Sequence, residues 1–158
     1  MFHEIGGLPL HPLAVHAAVV SVPLAALLGI LFAVPRTRAW SRIPFALVSL
    51  GAAGAVFVAR QSGKDLEKTL GLTGGNSPVV ALVRTHAGRA NVLMIMVVIF
   101  AVLAVVAFFL SRDPRRFQGT LAVAVCAVVV VASVVIAFQC YRVGDSGARA
   151  VWGTTIAK

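Results

Sequence analysis

Apolar and polar positions in this chain are segregated into long blocks. Four stretches, at about residues 12–34, 43–60, 86–110 and 120–141, are almost wholly apolar, and charge crowds the segments between them. Crossing about 30 Å of hydrocarbon takes roughly 20 mostly apolar residues in a helix, so each stretch predicts a membrane span. The first opens at Pro12, a residue suited to a first helical turn, and closes before Pro35. The second is short, and Gly51 and Gly54 in its middle predict the close approach of a neighbouring helix. The third is the richest, and Ser77 and Pro78, after Asn76, are an earlier place for its helix to begin. Ser21, Ser49 and Ser133 can return their hydroxyls to the backbone and read as packing residues. Short connections make successive helices antiparallel neighbours. The expectation is an all-α, up-down four-helix bundle that forms one domain.

Composition agrees with that pattern. The 158 residues are 59% hydrophobic and 12% charged, whereas a soluble domain carries about 25% charge. A net charge of +9 would suit a nucleic-acid binder, but the basic residues sit at helix ends and offer no basic face on a soluble element. No nucleic-acid partner is expected. Cys126 and Cys140 have no CxxC partner, which argues against a disulfide or zinc site. No Lys or Arg precedes the first apolar run, and that run is too long for the core of a cleavable signal.

Charge also orients the bundle. The first and third connections, PRTRAWSR and SRDPRR, are short and hold six basic residues and one acidic residue. The other side holds eight basic residues, spread over longer segments with four acids. Dense, short loops dominate the positive-inside rule, so both termini and the long second loop are expected outside the cytoplasm. The outer end then collects His11 and His16 from the first helix, Arg60, Lys64, Asp65 and Glu67 from the second, His86 and Arg89 from the third, and Arg142, Asp145 and Arg149 from the fourth. There is also an internal echo: VHAAVV and THAGRA each precede an apolar run and a basic loop, and ARQSGKD loosely matches YRVGDSG.

The segments LHPLAVH, ARQSGKDLEKTLG, THAGRANVL and YRVGDSGARAVWG occur in that order. Together they resemble the bacterial four-span membrane proteins of the domain-of-unknown-function 2231 family, over about residues 8 to 153. The family pattern continues HPLxVHFP, whereas Ala17 and Ala18 follow His16 here. The resemblance implies a four-span fold in a bacterial plasma membrane. It implies no activity. A likeness to two-haem membrane cytochromes exists at the level of architecture alone.

The outer residues favour a non-enzymatic accessory or binding protein, in a membrane complex or a homo-oligomer. Its polar site would comprise the histidines with Asp65, Glu67, Arg89, Asp145 and Arg149, in which acids pair with Arg60, Arg142 or Arg149. The alternative is an electron carrier with a b-type haem between two histidines, since histidine is a common haem ligand and bundles build such sites from facing helices. The first and third helices would be diagonal, small residues (Ala14, Ala17, Ala18, Ala87, Gly88) would leave room, and Arg60, Arg89 or Arg142 could meet the propionates. His86 is one candidate ligand. The echo pairs it with His16; depth, counted at about 1.5 Å per residue from the inner helix ends, pairs it with His11. Sequence leaves that choice open. A second alternative is a divalent metal on His11, His16 and His86 with acids, although residues five apart diverge on a helix. His16, as the deepest, is expected to point into the bundle and to converge with His86, Arg60 and Asp145; a His16 facing lipid would defeat the haem and metal readings and leave the accessory protein. Ser146 in GDSG matches the string around protease nucleophiles by coincidence of letters, and no catalytic residue is expected. The glycines of GLTGGNSP read as a turn in preference to an anion cradle.

Overall fold

The protein, described here by a computed structural model, is placed at residues 4–5, 8–75 and 77–153. Four helices account for most of these: α1 (Leu10–Ala33), α2 (Arg38–Thr69), α3 (Pro78–Leu110) and α4 (Gly119–Trp152). A two-residue antiparallel ladder, β1 (Glu4–Ile5) with β2 (Leu8–Pro9), precedes α1. α1 packs on α2 and α4, and α3 packs on the same two helices. The order around the bundle is therefore that of the chain, and α1 lies diagonally across from α3. All four helices are long and apolar enough to cross a membrane.

At about 1.5 Å per residue, the 32, 33 and 34 residues of α2, α3 and α4 span about 50 Å. They outrun the apolar stretches because hydropathy marks where hydrocarbon ends, whereas a helix ends at a stop signal. QSGKDLEKT stays helical up to Gly71, whose φ of 65° suits glycine. Gly75 takes φ 106° in the same turn. Ser77 then caps α3, its hydroxyl accepting from the Val80 amide at 3.3 Å. Asn76 lies outside the described residues.

The two ends differ in chemistry. One, the arginine end, holds the α1–α2 and α3–α4 connections. Pro35 halts α1 and leaves its last carbonyls without helical partners. Side chains from the next helix supply them: Thr37 donates to Leu31 O, and Arg38 donates to Phe32 O at 3.2 Å and Ala33 O at 3.1 Å. Arg42 donates to Ser111 O at 3.2 Å at the end of α3. The Arg38 guanidinium also lies over the Phe32 and Phe117 rings. These rings continue into the core, with Phe32 against Phe45 at 5.6 Å and Phe45 against Phe100 at 5.4 Å.

Above the rings the helices close on small residues. A Cβ on Gly29 would stand 2.5 Å from Ser133 Oγ, 3.1 Å from Phe45 and 3.2 Å from Phe100. Gly29 is thus the glycine of closest helix approach. Gly51 and Gly54 are not: both face outward, and a Cβ added at either would meet nothing within 4 Å. Their place on α2 falls between the exposed Leu47, Leu50 and Val58, a face that periodicity alone does not assign in an all-apolar helix. Gly29→Ala is expected to lower stability by about 1–3 kcal/mol through overpacking. Gly51→Ala should cost nothing. Thermal unfolding in detergent reads both, and equal midpoints for the two variants would refute the packing described.

Candidate functional site

The opposite end, the histidine end, gathers the starts of α1 and α3 and the ends of α2 and α4. His11, in the first turn of α1, leans on α2 and is half-buried. Its Nδ1 stands 2.9 Å from Ala59 O and 3.4 Å from Ser62 Oγ. His86, two turns into α3, leans on α4 in the same way, with Nδ1 3.1 Å from Val143 O and 3.3 Å from Ser146 Oγ. Each serine is buried and gives its hydroxyl to its own helix: Ser146 to Val143 O at 2.9 Å, and Ser62 to Val58 O at 2.8 Å with Ala59 O at 3.1 Å.

Each ring also lies close against a glycine. A Cβ on Gly63 would be 2.9 Å from His11 Cε1, and one on Gly147 would be 3.1 Å from His86 Cε1. Histidine, carbonyl, serine and glycine thus form one clasp that occurs twice, once in each helical hairpin. A further pair follows the same spacing: Ser49 and Ser133, both fully buried, stand thirteen residues before Ser62 and Ser146.

The clasp fixes the chemistry of the ring. A carbonyl can only accept, so Nδ1 carries the proton and donates it, and in the neutral imidazole Nε2 keeps its lone pair. His11 lies 23 residues from Val34 and His86 lies 24 from Leu110, which places both about 35 Å above the arginine end.

His16 does not belong to this pair. It is exposed on the same face as Leu13, Val20 and Leu27, and its Nδ1 bonds to Pro12 O at 2.6 Å within its own helix. The expectation that it points into the bundle is corrected, and so is the echo that pairs it with His86; the haem and metal readings that ran through His16 fall with it, and a haem pair could draw only on His11 with His86. Five residues on a helix turn a side chain by about 140°, so with His11 on α2, His16 must face away. Its counterpart five residues past His86 is Asn91, which accepts from Arg60 Nε at 2.5 Å across the α2–α3 seam. Arg60 stands two residues before Ser62; the residue two before Ser146 is Gly144, which has no side chain to offer His16.

The remaining polar residues divide between seams instead of forming one cluster. On α3–α4, Asp145 takes Arg149 Nε on both oxygens at 3.0 Å and lies 3.7 Å from Arg89 Nη1. Arg89 also donates to Arg142 O at 3.1 Å, and its own carbonyl accepts from the buried Gln139 at 3.0 Å. Arg142 lies over the Phe138 ring, and Arg60 is taken by Asn91. Among the described residues neither Asp65 nor Glu67 pairs with a cation, so the ion pairs expected of them are not made. No three His, Cys, Asp or Glu side chains among the described residues gather as a metal cage. Cys126 and Cys140 are free. Of the small residues near the histidines, Ala14 and Ala18 are buried, while Ala17 and Gly88 face outward.

Sequence reasoning missed Ser62, Gly63, Ser146, Gly147, Asn91 and Gln139. The signal for the first four was the dipeptide Ser-Gly, present in both QSGK and DSGA. Ser146 is no nucleophile: its hydroxyl is buried and given to Val143 O.

These features define a four-helix membrane protein built from two hairpins, each closed by a histidine clasp. The chain belongs to the family described as "Predicted membrane protein (DUF2231)", which it matches over residues 7–158. No curated protein and no solved structure matches it.

Proposed function

We propose that this protein is a non-enzymatic binding protein of the membrane, and that its ligand is a b-type haem held between His11 and His86. The observation that carries this reading is the repeated clasp. Two imidazoles on diagonal helices, at equal depth, each spend Nδ1 on a carbonyl, and among the described residues neither Nε2 has a hydrogen-bond partner. Histidine ligands of metals characteristically have the other ring nitrogen bound in this way, which orients the ring and raises its basicity. Two imidazoles without a carboxylate beside them would suit haem iron better than a divalent ion that needs three or four protein ligands. A haem so bound would supply one-electron transfer. The chain's own part is to present the two rings and to bring Arg89 to the same α3–α4 seam as His86.

A second reading makes the protein an accessory subunit of a membrane complex. It draws on the completeness of the clasps, which already satisfy Nδ1 and both serine hydroxyls and so knit each hairpin without a ligand.

A difference spectrum separates the two. Protein purified in detergent, or loaded with haemin, should show a Soret band that shifts with dithionite. The band should be lost in His11→Ala and in His86→Ala and kept in His16→Ala. A folded wild type that stays colourless after haemin loading eliminates the carrier and leaves the accessory reading.

The histidine end is proposed to face outward from the cytoplasm of a bacterial cell, because the arginine end carries the short, dense basic loops. A membrane-impermeant maleimide on intact cells should label Gly74→Cys and spare Thr37→Cys. The opposite labelling would invert the assignment.

A further inference from the structure

The arginine end holds Arg36, Arg38, Arg42, Arg112, Arg115 and Arg116 against a single acid, Asp113. Asp113 pairs with Arg116 at 3.4 Å. Arg38 and Arg42 are turned inward to the last carbonyls of α1 and α3, whose partial negative charge is the nearest compensation they have. The Nε of Arg42 is buried with no partner, so even this inner pair is under-compensated. Arg36, Arg112 and Arg115 are exposed, and among the described residues none of the three pairs with a carboxylate. The guanidinium of Arg112 rests on the Phe108 ring.

Position selects the partner for these charges. The connections 34–37 and 111–118 are short, and α2 and α4 begin directly after them, so nothing lifts the arginines clear of the membrane surface. Trp40, 56% exposed at the start of α2, is the type of residue that settles among headgroups. A nucleic acid or an acidic protein would have to enter the headgroup layer to reach these side chains. Phosphates of the leaflet already lie there. We infer that the arginine end is a binding surface for anionic phospholipid headgroups, with Arg36, Arg112 and Arg115 as its contact residues. Basic residues next to a membrane span draw anionic lipid by the surface potential and by direct pairing with phosphate.

The test uses the full-length protein in nanodiscs of phosphatidylcholine, with and without added phosphatidylglycerol. Wild type should unfold at a higher temperature when phosphatidylglycerol is present and should carry phosphatidylglycerol molecules into native mass spectrometry. The triple variant Arg36→Gln, Arg112→Gln, Arg115→Gln changes exposed side chains, and its midpoint in pure phosphatidylcholine should match wild type. It should lose both the shift and the retained lipid. Lys64→Gln, Lys68→Gln, Arg84→Gln removes three exposed cations at the histidine end and should keep both. Three results would overturn the inference: an equal response of wild type to the two lipids, an equal loss of the effect in both triples, or a shift reproduced by inorganic phosphate in phosphatidylcholine discs.

Discussion

Hydrocarbon offers no hydrogen bonds, so every polar group that a membrane bundle holds must find its partner within the protein or at the membrane surface. Both ends of this bundle are arranged around that constraint. At the arginine end, proline stops α1 early, and Thr37 and Arg38 reach back to carbonyls that water would serve in a soluble protein. At the histidine end, His11 and His86 give Nδ1 to carbonyls of the neighbouring helix. Between the two ends, Ser133 returns its hydroxyl to Val129 O at 2.8 Å, inside the close contact made with Gly29. Among the described residues two buried groups are exceptions, the Ser49 hydroxyl and Arg42 Nε, neither of which has a partner.

The two hairpins solve the same problem with the same residues and then diverge. Both keep the clasp, with its serine and the glycine that admits the ring. Around it, one hairpin has Arg60 reaching Asn91, whereas the other has Gly144 at the position of Arg60, and His16 folds back on its own helix. Conversely, α4 bears Asp145 and Arg142 where α2 bears Gln61 and Val58, and the ion-pair network exists on the α3–α4 seam. The clasp is common to both halves, and the polar residues around it are not.

Much of the architecture is legible in the sequence because it follows from length and hydropathy: four spans, their up-down order, and α1 diagonal to α3. The choice between His11 and His16 is not. Similarity of letters around VHAAVV and THAGRA aligns His16 with His86, whereas the matching contacts are those of His11 and His86, as a count of residues from the far helix ends suggests. Depth in a bundle is set by helix rise, a stronger constraint than a short resemblance. Which way a side chain faces is beyond reach in helices that are apolar all round, so Gly51 and Gly54 read as packing glycines while nothing marks Gly29. The serine and glycine of each clasp are hidden because their role exists only once another helix is laid against them. The ion pairs expected of Asp65 and Glu67 rest on shared height alone, and helix faces separate residues that height brings together.

The proposed site stands on the equivalence of His11 and His86, each with its proton on Nδ1 and, among the described residues, no partner at Nε2. Nitrogen NMR of the ligand-free protein, with labelled histidine in a bilayer and at a pH where the rings are neutral, reads this directly. The resonances lost in His11→Asn and in His86→Asn should both report the Nδ1-protonated tautomer, hydrogen-bonded at that nitrogen. An Nε2-protonated ring at either position would contradict the clasp and the site built on it.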